Sequence, residues 1–348
     1  MTGPPLQPLQ RAAGDLWMEL RQFKYFVAIV DCGSLSRAAQ QLFIAQSALS
    51  KQMAELESEL GTQLLLRSRN GVAMTEAGKV FYEYAQGITK QVSDAKAAVH
   101  VASDAVVGSV VAALPQSVSP MMALPLMRAA ARRYPDVVLH LNEELTGNMA
   151  DQLLRGRVDV AVFSPTMPAE DILFTPLVEE DFVLLESPQS AHALPPGDVS
   201  IAQATARPLV WPANAHGHCT RWLVDAVLEQ AGHPAAQVAA EINSVYTLKA
   251  AVEAGLGPTI MPFGLAQREV QEGRLAAHRI DSPSMFRTLG LCVSVHLPTT
   301  NAKRAVCALI GDVMRELCES GQWAGARVVV PAKKPKEKEP KPPKAPKA

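Results

Sequence analysis

From Ser34 to Ala54 the chain sets hydroxyls, amides and a lysine at helical spacing with no carboxylate among them. Leu49, Met53, Leu56 and Leu60 recur at i, i+4, i+7 and i+11, one apolar stripe of a helix running from about Ser47 to Leu60. At about 100° per residue, Ser47, Ser50, Lys51 and Ala54 face away from that stripe. A small, polar, acid-free face can enter a major groove, where hydroxyls reach base edges and a cation meets phosphate. An ordinary solvated helix face would carry the same pattern, so the flanking elements decide.

A shorter helix over about Ser36 to Leu42 precedes it, N-capped by Ser36. Ala38 and Ala39 are small enough for close packing, and Phe43, Ile44 and Ala45 make the connection. Leu20, Phe23, Val27 and Val30 give an amphipathic helix that closes a small core. After Gly61, TQLLLRSRNGVAMTEAG reads as an apolar run, two arginines, an Asn-Gly turn and a second extended piece, a hairpin signal. Such a wing would carry Arg67 and Arg69 to phosphates or a minor groove.

The stretch LRQFKYFVAIVDCGSLSRAAQQLFIAQSALSKQMAELESELGTQLLLRSRNGVAMTEAG resembles the N-terminal domain of LysR-type transcriptional regulators. GSLSRAAQQLFIAQSALSKQ with QLLLRSRNGVAMTEAGK is most similar to the nitrogen-assimilation-control subgroup. The resemblance implies base and phosphate contacts at Gln46, Ser47, Ser50, Lys51 and Gln52, supported by Arg37, Arg67 and Arg69. Ser36, at the head of the preceding helix, is counted with them. Ser47 stands where the family usually has proline at the first helical position; serine keeps its amide and loses the fixed φ. Residues 18–105 hold nine Lys or Arg and nine Asp or Glu, so sequence-blind DNA affinity should be modest and salt-sensitive.

From Thr75, a plausible N-cap, to about Asp104 the period changes. Phe81, Ala85, Ile88, Val92, Ala95, Val99 and Ala102 alternate at four and three, the seam of a paired helix roughly 45 Å long. The expected role is a dimerising linker; the alternative is a helix lying on its own domain's core. Two reading helices held side by side would match an interrupted inverted repeat on duplex DNA, in a homodimer or homotetramer.

Residues 106–320 alternate strand and helix, which predicts parallel sheet covered on both faces and two Rossmann-like halves around a cleft. QLLRGRVDVAV, EDFVLLESPQSAHAL and LKAAVEAGLGPTIMP resemble the effector domain of the same regulators. The implied fold is α/β and bilobed, like type 2 periplasmic binding proteins, behind a winged helix-turn-helix. The expected divisions are a winged domain over 18–74, a linker over 75–104 and an effector domain over 105–320. Lobe I would take 106–163 and 275–320, and lobe II 168–268.

Ligands of such sheets lie beyond strand carboxyl ends, against helix N-termini. Those positions hold Gln116, Ser117 and Ser119, then Thr146, Gly147 and Asn148. The other lobe offers Asn214, His216, His218, Ser244, Tyr246, Thr247, Pro262 and Phe263. Hydroxyls and free amides at helix starts suit a small acidic or polar effector without an arginine, with Ser117, Thr146 and Thr247 leading. The same residues also serve as plain caps, and some regulators of the resembled subgroup act without a bound effector.

His216-Gly217-His218-Cys219 could supply three metal ligands, but no fourth stands at a recognised spacing, and no metal or other cofactor is expected. No nucleophile triad, phosphate-cradling loop or acid pair points to an enzyme. A solute-binding protein or an α/β enzyme would explain the bilobed half alone and leave residues 18–104 without a role.

MTGPPLQPLQRAAGDLW lacks the apolar core of a signal peptide and reads as a disordered extension over 1–17. No run approaches the roughly 18 apolar residues of a membrane span. Cys32, Cys219, Cys292, Cys307 and Cys318 include no C-x-x-C pair, which suits reduced thiols in a cytoplasm. Residues 321–348 read as a disordered Lys/Pro-rich tail, whose last 18 residues carry a net charge of +5. That arm is either a sequence-blind DNA tether or functionally silent. RNA polymerase is a candidate further partner.

Overall fold

The computed structural model describes residues 18–68, 71–99, 105–165, 170–213 and 219–329. Outside them lie the expected extension over 1–17, Arg69 with Asn70, the seam position Ala102, Asn214, His216, His218 and the tail beyond 329.

Three helices, α1 (Leu20–Cys32), α2 (Leu35–Gln41) and α3 (Gln46–Leu60), meet over Phe26, Ile29, Ala38, Leu49, Met53 and Leu56. The expected cap of α2 moves by two residues. Ser34, extended at φ −158°, accepts from the Arg37 amide, and Ser36 is inside the helix. Helix α3 likewise begins at Gln46, so Ser47 is its second residue, where a proline's φ would matter less for initiation. Strands β1 (Leu65–Ser68) and β2 (Gly71–Met74) pair antiparallel as the wing, in register Arg67 to Val72.

Helix α4 (Glu76–Val99) starts at Thr75, whose hydroxyl accepts from the Gly78 amide. Its seam is corrected in part. Phe81 stacks on Phe23 and meets Phe26 edge-on, and Ala85 is wholly buried in the same core. Those positions are apolar because the helix lies on its own winged domain. Tyr82 donates to Asp31; burial, then that carboxylate, pushes its phenol pKa up.

In the effector domain β3 (Gly108–Pro115) pairs parallel with β4 (Val137–Glu144) and β5 (Val160–Phe163). Helices α5 (Ser119–Arg133) and α6 (Thr146–Leu154) connect them. The long strand β6 (Ile172–Glu186) then passes through both lobes. Lobe II adds α7 (Ile201–Ala204), β7 (Leu209–Pro212), α8 (Cys219–Gln230), β8 (Val238–Ile242), α9 (Val245–Glu253) and β9 (Thr259–Pro262). A 3-10 turn over Phe263–Ala266, α10 (Gln267–Gln271) and β10 (Ala276–Arg279) complete it. Finally β11 (Phe286–Ser294), α11 (Asn301–Glu319) and β12 (Ala326–Val328) return to lobe I.

Three expectations change here. The sheets are mixed rather than parallel: β6 runs antiparallel to β9, β10, β11 and β12, while β7 and β8 form a separate parallel pair. Residues 276–279 belong to lobe II, because β10 pairs with Val183–Glu186 at the far end of β6. The ordered domain also runs past 320, since β12 pairs with β6 and Trp323 is buried in the lobe I core. That core gathers Val110, Leu114, Met122, Val306, Ile310 and Leu317. Lobe II closes over Leu209, Trp211, Val224 and Ile260.

Candidate DNA-binding face and interlobe cleft

Helix α3 buries Leu49, Met53 and Leu56 and turns Gln46, Ser47, Lys51 and Ala54 to solvent. Neighbouring elements brace this face. The Ser36 hydroxyl donates to Gln46 Oε1 over 3.0 Å, tying the start of α2 to the start of α3. From the wing, Arg67 Nη1 donates to Ser50 Oγ over 2.8 Å. Lys51 stands 3.7 Å from Glu55, too exposed a pair to hold it away from an incoming phosphate. Gln52 donates to Glu55 at 2.6 Å, while its own Oε1 is buried without a partner. Arg37 is exposed. Arg21 and Tyr25 of α1 also line a depression with Ala48, Lys51 and Gln52. Sequence reasoning missed them, since only the packing of α1 on α3 brings them there.

Between the lobes, Gln116, Ser117, Glu144 and Thr146 face Pro212, Thr220, Val245, Met261 and Pro262 across a cavity of about 20 Å³. That is room for a water molecule, not a metabolite. Its floor is Arg287, a buried arginine. Arg287 donates through Nε and Nη2 to Glu180 Oε2 at 2.9 and 2.7 Å, and through Nη1 to Ser117 Oγ at 2.9 Å. Trp323 Nε1 donates to Glu180 Oε1 at 2.8 Å. Gln116 Oε1 is buried and unpaired, so an acceptor in the cleft is free.

The expected contacts divide accordingly. Gln116, Ser117 and Thr146 line the cleft, whereas Gly147 and Asn148 are exposed and outside its lining, Asn148 donating to Glu144 at 3.3 Å. Ser119 is buried in the first turn of α5. Ser244 caps α9 by accepting from the Thr247 amide at 3.3 Å. Tyr246 and Thr247 point to solvent, Tyr246 at 82 % exposure, and Val245 takes the lining position instead. Phe263 packs beside Gly325. Among the described residues no group of three or more His, Cys, Asp or Glu could hold a metal ion. Nor is any of their helices long and apolar enough to cross a membrane.

Residues 20–79 match the bacterial regulatory helix-turn-helix of the lysR family, and residues 103–315 match the LysR substrate binding domain. The chain belongs to the LysR family. It is a DNA-binding transcriptional regulator with an effector-binding domain, not an enzyme, and the solute-binding alternative falls with it. Among relatives, the nitrogen assimilation regulatory protein nac of Klebsiella aerogenes is 34% identical, covering 80% of this chain and 89% of its own length. The protein of that name from Escherichia coli K12 is 32% identical over 88% of this chain and 99% of its own. A full-length OxyR variant from Pseudomonas aeruginosa shares the fold at TM-score 0.61 and 22% identity, over 86% of this chain and 95% of that one. Within this LysR-family chain, Glu180, Arg287 and Trp323 are the cleft residues that sequence reasoning missed. Local spacing carried no signal for them, since Glu180 stands between Glu179 and Asp181 in the strand and its partners lie more than 100 residues away.

Proposed function

We propose that this LysR-family regulator reads an interrupted inverted repeat as a homodimer or homotetramer. The exposed face of α3, acid-free over its first two turns and braced by Ser36 on one side and Arg67 on the other, carries the reading. Ser47, Ser50, Lys51 and Gln46 are the base and phosphate contacts, with Arg37, Gln52 and Arg69 in supporting roles. Phe81 and Ala85 serve the chain's own core, so the pairing surface of α4 turns to its outward apolar positions, among them Val80 and Ala95. The nac relatives extend the proposal to promoters of nitrogen assimilation. Action at promoters sets the protein in the cytoplasm with RNA polymerase as a further partner.

The effector would be a small polar or acidic molecule held by Gln116, Ser117 and Thr146. At about 20 Å³ the cleft admits it only when the lobes part. A thermal-shift screen against carboxylates and amino acids tests that part, and a uniform lack of response removes it. The Lys/Pro-rich tail would add sequence-blind affinity, and deleting residues 331–348 should flatten the salt dependence on random DNA. For the reading itself, genomic fragments retained by the protein are sequenced and the recovered duplex is offered to Ser50→Glu with Lys51→Glu. Lost binding with unchanged circular dichroism supports the reading; undiminished binding defeats it.

A further inference from the structure

Helix α4 is held from two sides. Opposite the face that carries Phe81 and Ala85, Gly87 approaches the turn between α6 and β5 so closely that a β-carbon would stand 2.4 Å from the Arg155 carbonyl oxygen. Across the gap, a β-carbon on Gly156 would stand 2.9 Å from Gln91 Nε2. Gly156 has a local reason to be glycine, its φ of +70° after α6. Gly87 has none: in mid-helix it is destabilising by roughly 0.5–1 kcal/mol relative to alanine. Close passage of the two backbones accounts for it.

One turn further along, four charges meet out of water. Lys90 Nζ lies 2.9 Å from Asp94 Oδ2 and 2.5 Å from Asp159 Oδ1. Lys303 Nζ, from α11, lies 2.9 Å from that same Asp94 oxygen and 2.7 Å from Asp159. Asp159 Oδ2 accepts from the Val111 amide at 2.8 Å, and Lys303 also donates to the Pro298 carbonyl at 3.2 Å. Burial pulls the Lys303 pKa down, but Asp159 and Asp94 outweigh it and hold it above the ordinary value. At the rim, Glu83 faces Arg155 at 3.4 Å and Arg157 at 3.8 Å, and the Arg155 guanidinium covers the Tyr84 ring. Two lysines and two aspartates balance only while α4 keeps this place. Such a network adds little net stability against an apolar contact, but it admits one geometry.

We infer that Gly87, Lys90 and Asp94 on α4, with Gly156, Asp159 and Lys303 on lobe I, position the DNA-reading head by locking the linker to its own effector domain. The winged domain, α4 and lobe I then move as one body, leaving lobe II as the part free to swing. The spacing at which two heads meet DNA is set by this joint as well as by the contact between copies.

The test uses the full chain as Gly87→Ala and, separately, Lys90→Met. Alanine favours a free helix, so Gly87→Ala cannot fail through helix propensity. Lys90→Met leaves Asp159 paired with Lys303. Each protein is offered a pool of random duplexes, and amide exchange is followed along α4. The joint predicts exchange about tenfold faster over Gly87–Lys96 in both variants, with the winged domain still protected. It also predicts unchanged half-site sequences but a broadened spacing between them. Wild-type exchange in α4 would overturn the proposal, even if the wild type retained single half-sites only. Altered half-site sequences would overturn it too, by placing these residues in recognition rather than positioning.

Discussion

Arg67 on the wing and Ser50 on the reading helix share a hydrogen bond of 2.8 Å, although 17 positions separate them. The wing therefore sets the height at which Ser50 is offered to the groove, and Arg67 keeps guanidinium donors for a phosphate. Arg67→Met should weaken binding about equally across sequences and reduce the log–log salt slope by about one. Fluorescence anisotropy between about 50 and 200 mM salt measures it. An unchanged slope would confine Arg67 to holding Ser50.

Phe43, in the turn between α2 and α3, takes φ 55° with its side chain 95 % exposed. A β-carbon in the left-handed region costs roughly 1–2 kcal/mol, and asparagine tolerates that region better. Phe43→Asn should therefore raise the unfolding free energy by about 1 kcal/mol. Urea denaturation checks this, and a loss of stability would mean that the ring makes a contact that offsets the strain.

The stripe Leu49, Met53 and Leu56 was legible because an amphipathic helix repeats within a few residues, and all three are buried. The seam on α4 was readable as a seam but not as to its partner. An apolar face at Phe81 and Ala85 serves a neighbouring helix in the same chain as well as one in another copy. The alternation of strands and helices announced two lobes, yet the antiparallel course of β6 depends on pairings more than 100 residues apart, such as Val178 with Leu289. Distance in sequence also hid the cleft floor: Arg287 is 107 positions from Glu180, and Trp323 is 143 from it. Local spacing finds caps such as Ser244, whereas a buried ion pair appears only once the sheet is assembled.

That ion pair gives a further test. Arg287→Met strands the buried Glu180 without its cation, a change that costs about 3–5 kcal/mol when one partner of a buried pair is removed. Joint replacement, Arg287→Met with Glu180→Leu, should recover most of the loss, because the burial penalty of both charges disappears together. Trp323→Phe removes one hydrogen bond to a charged oxygen and should cost about 1.5–3 kcal/mol. Chemical denaturation of these three proteins and of Glu180→Leu alone decides. Additive losses in the double variant would show that Arg287 and Glu180 act independently.

The thiols respond to pH in a direction set by burial. Burial pushes Cys292 up to about 12, the weak hydrogen bond to Phe163 notwithstanding. Burial likewise pushes Cys307 up to about 11, with Asp159 adding to it. Cys318 rises to about 11 through burial and the nearby Glu180 and Glu319. A thiolate is the reactive form, so these three should resist maleimide in the native protein near neutral pH. The same shifts fix a stability trend. A folded-state pKa above the ordinary 9.0 means that the folded chain holds its proton longer than the unfolded one. The contribution is therefore complete below pH 9.0 and is lost as pH climbs toward 11 and 12. Urea midpoints should fall between about pH 8 and pH 10, and replacing Cys292 with alanine should shrink that fall while lowering both midpoints through the cavity it leaves. An equal fall in the variant would assign the trend to other groups.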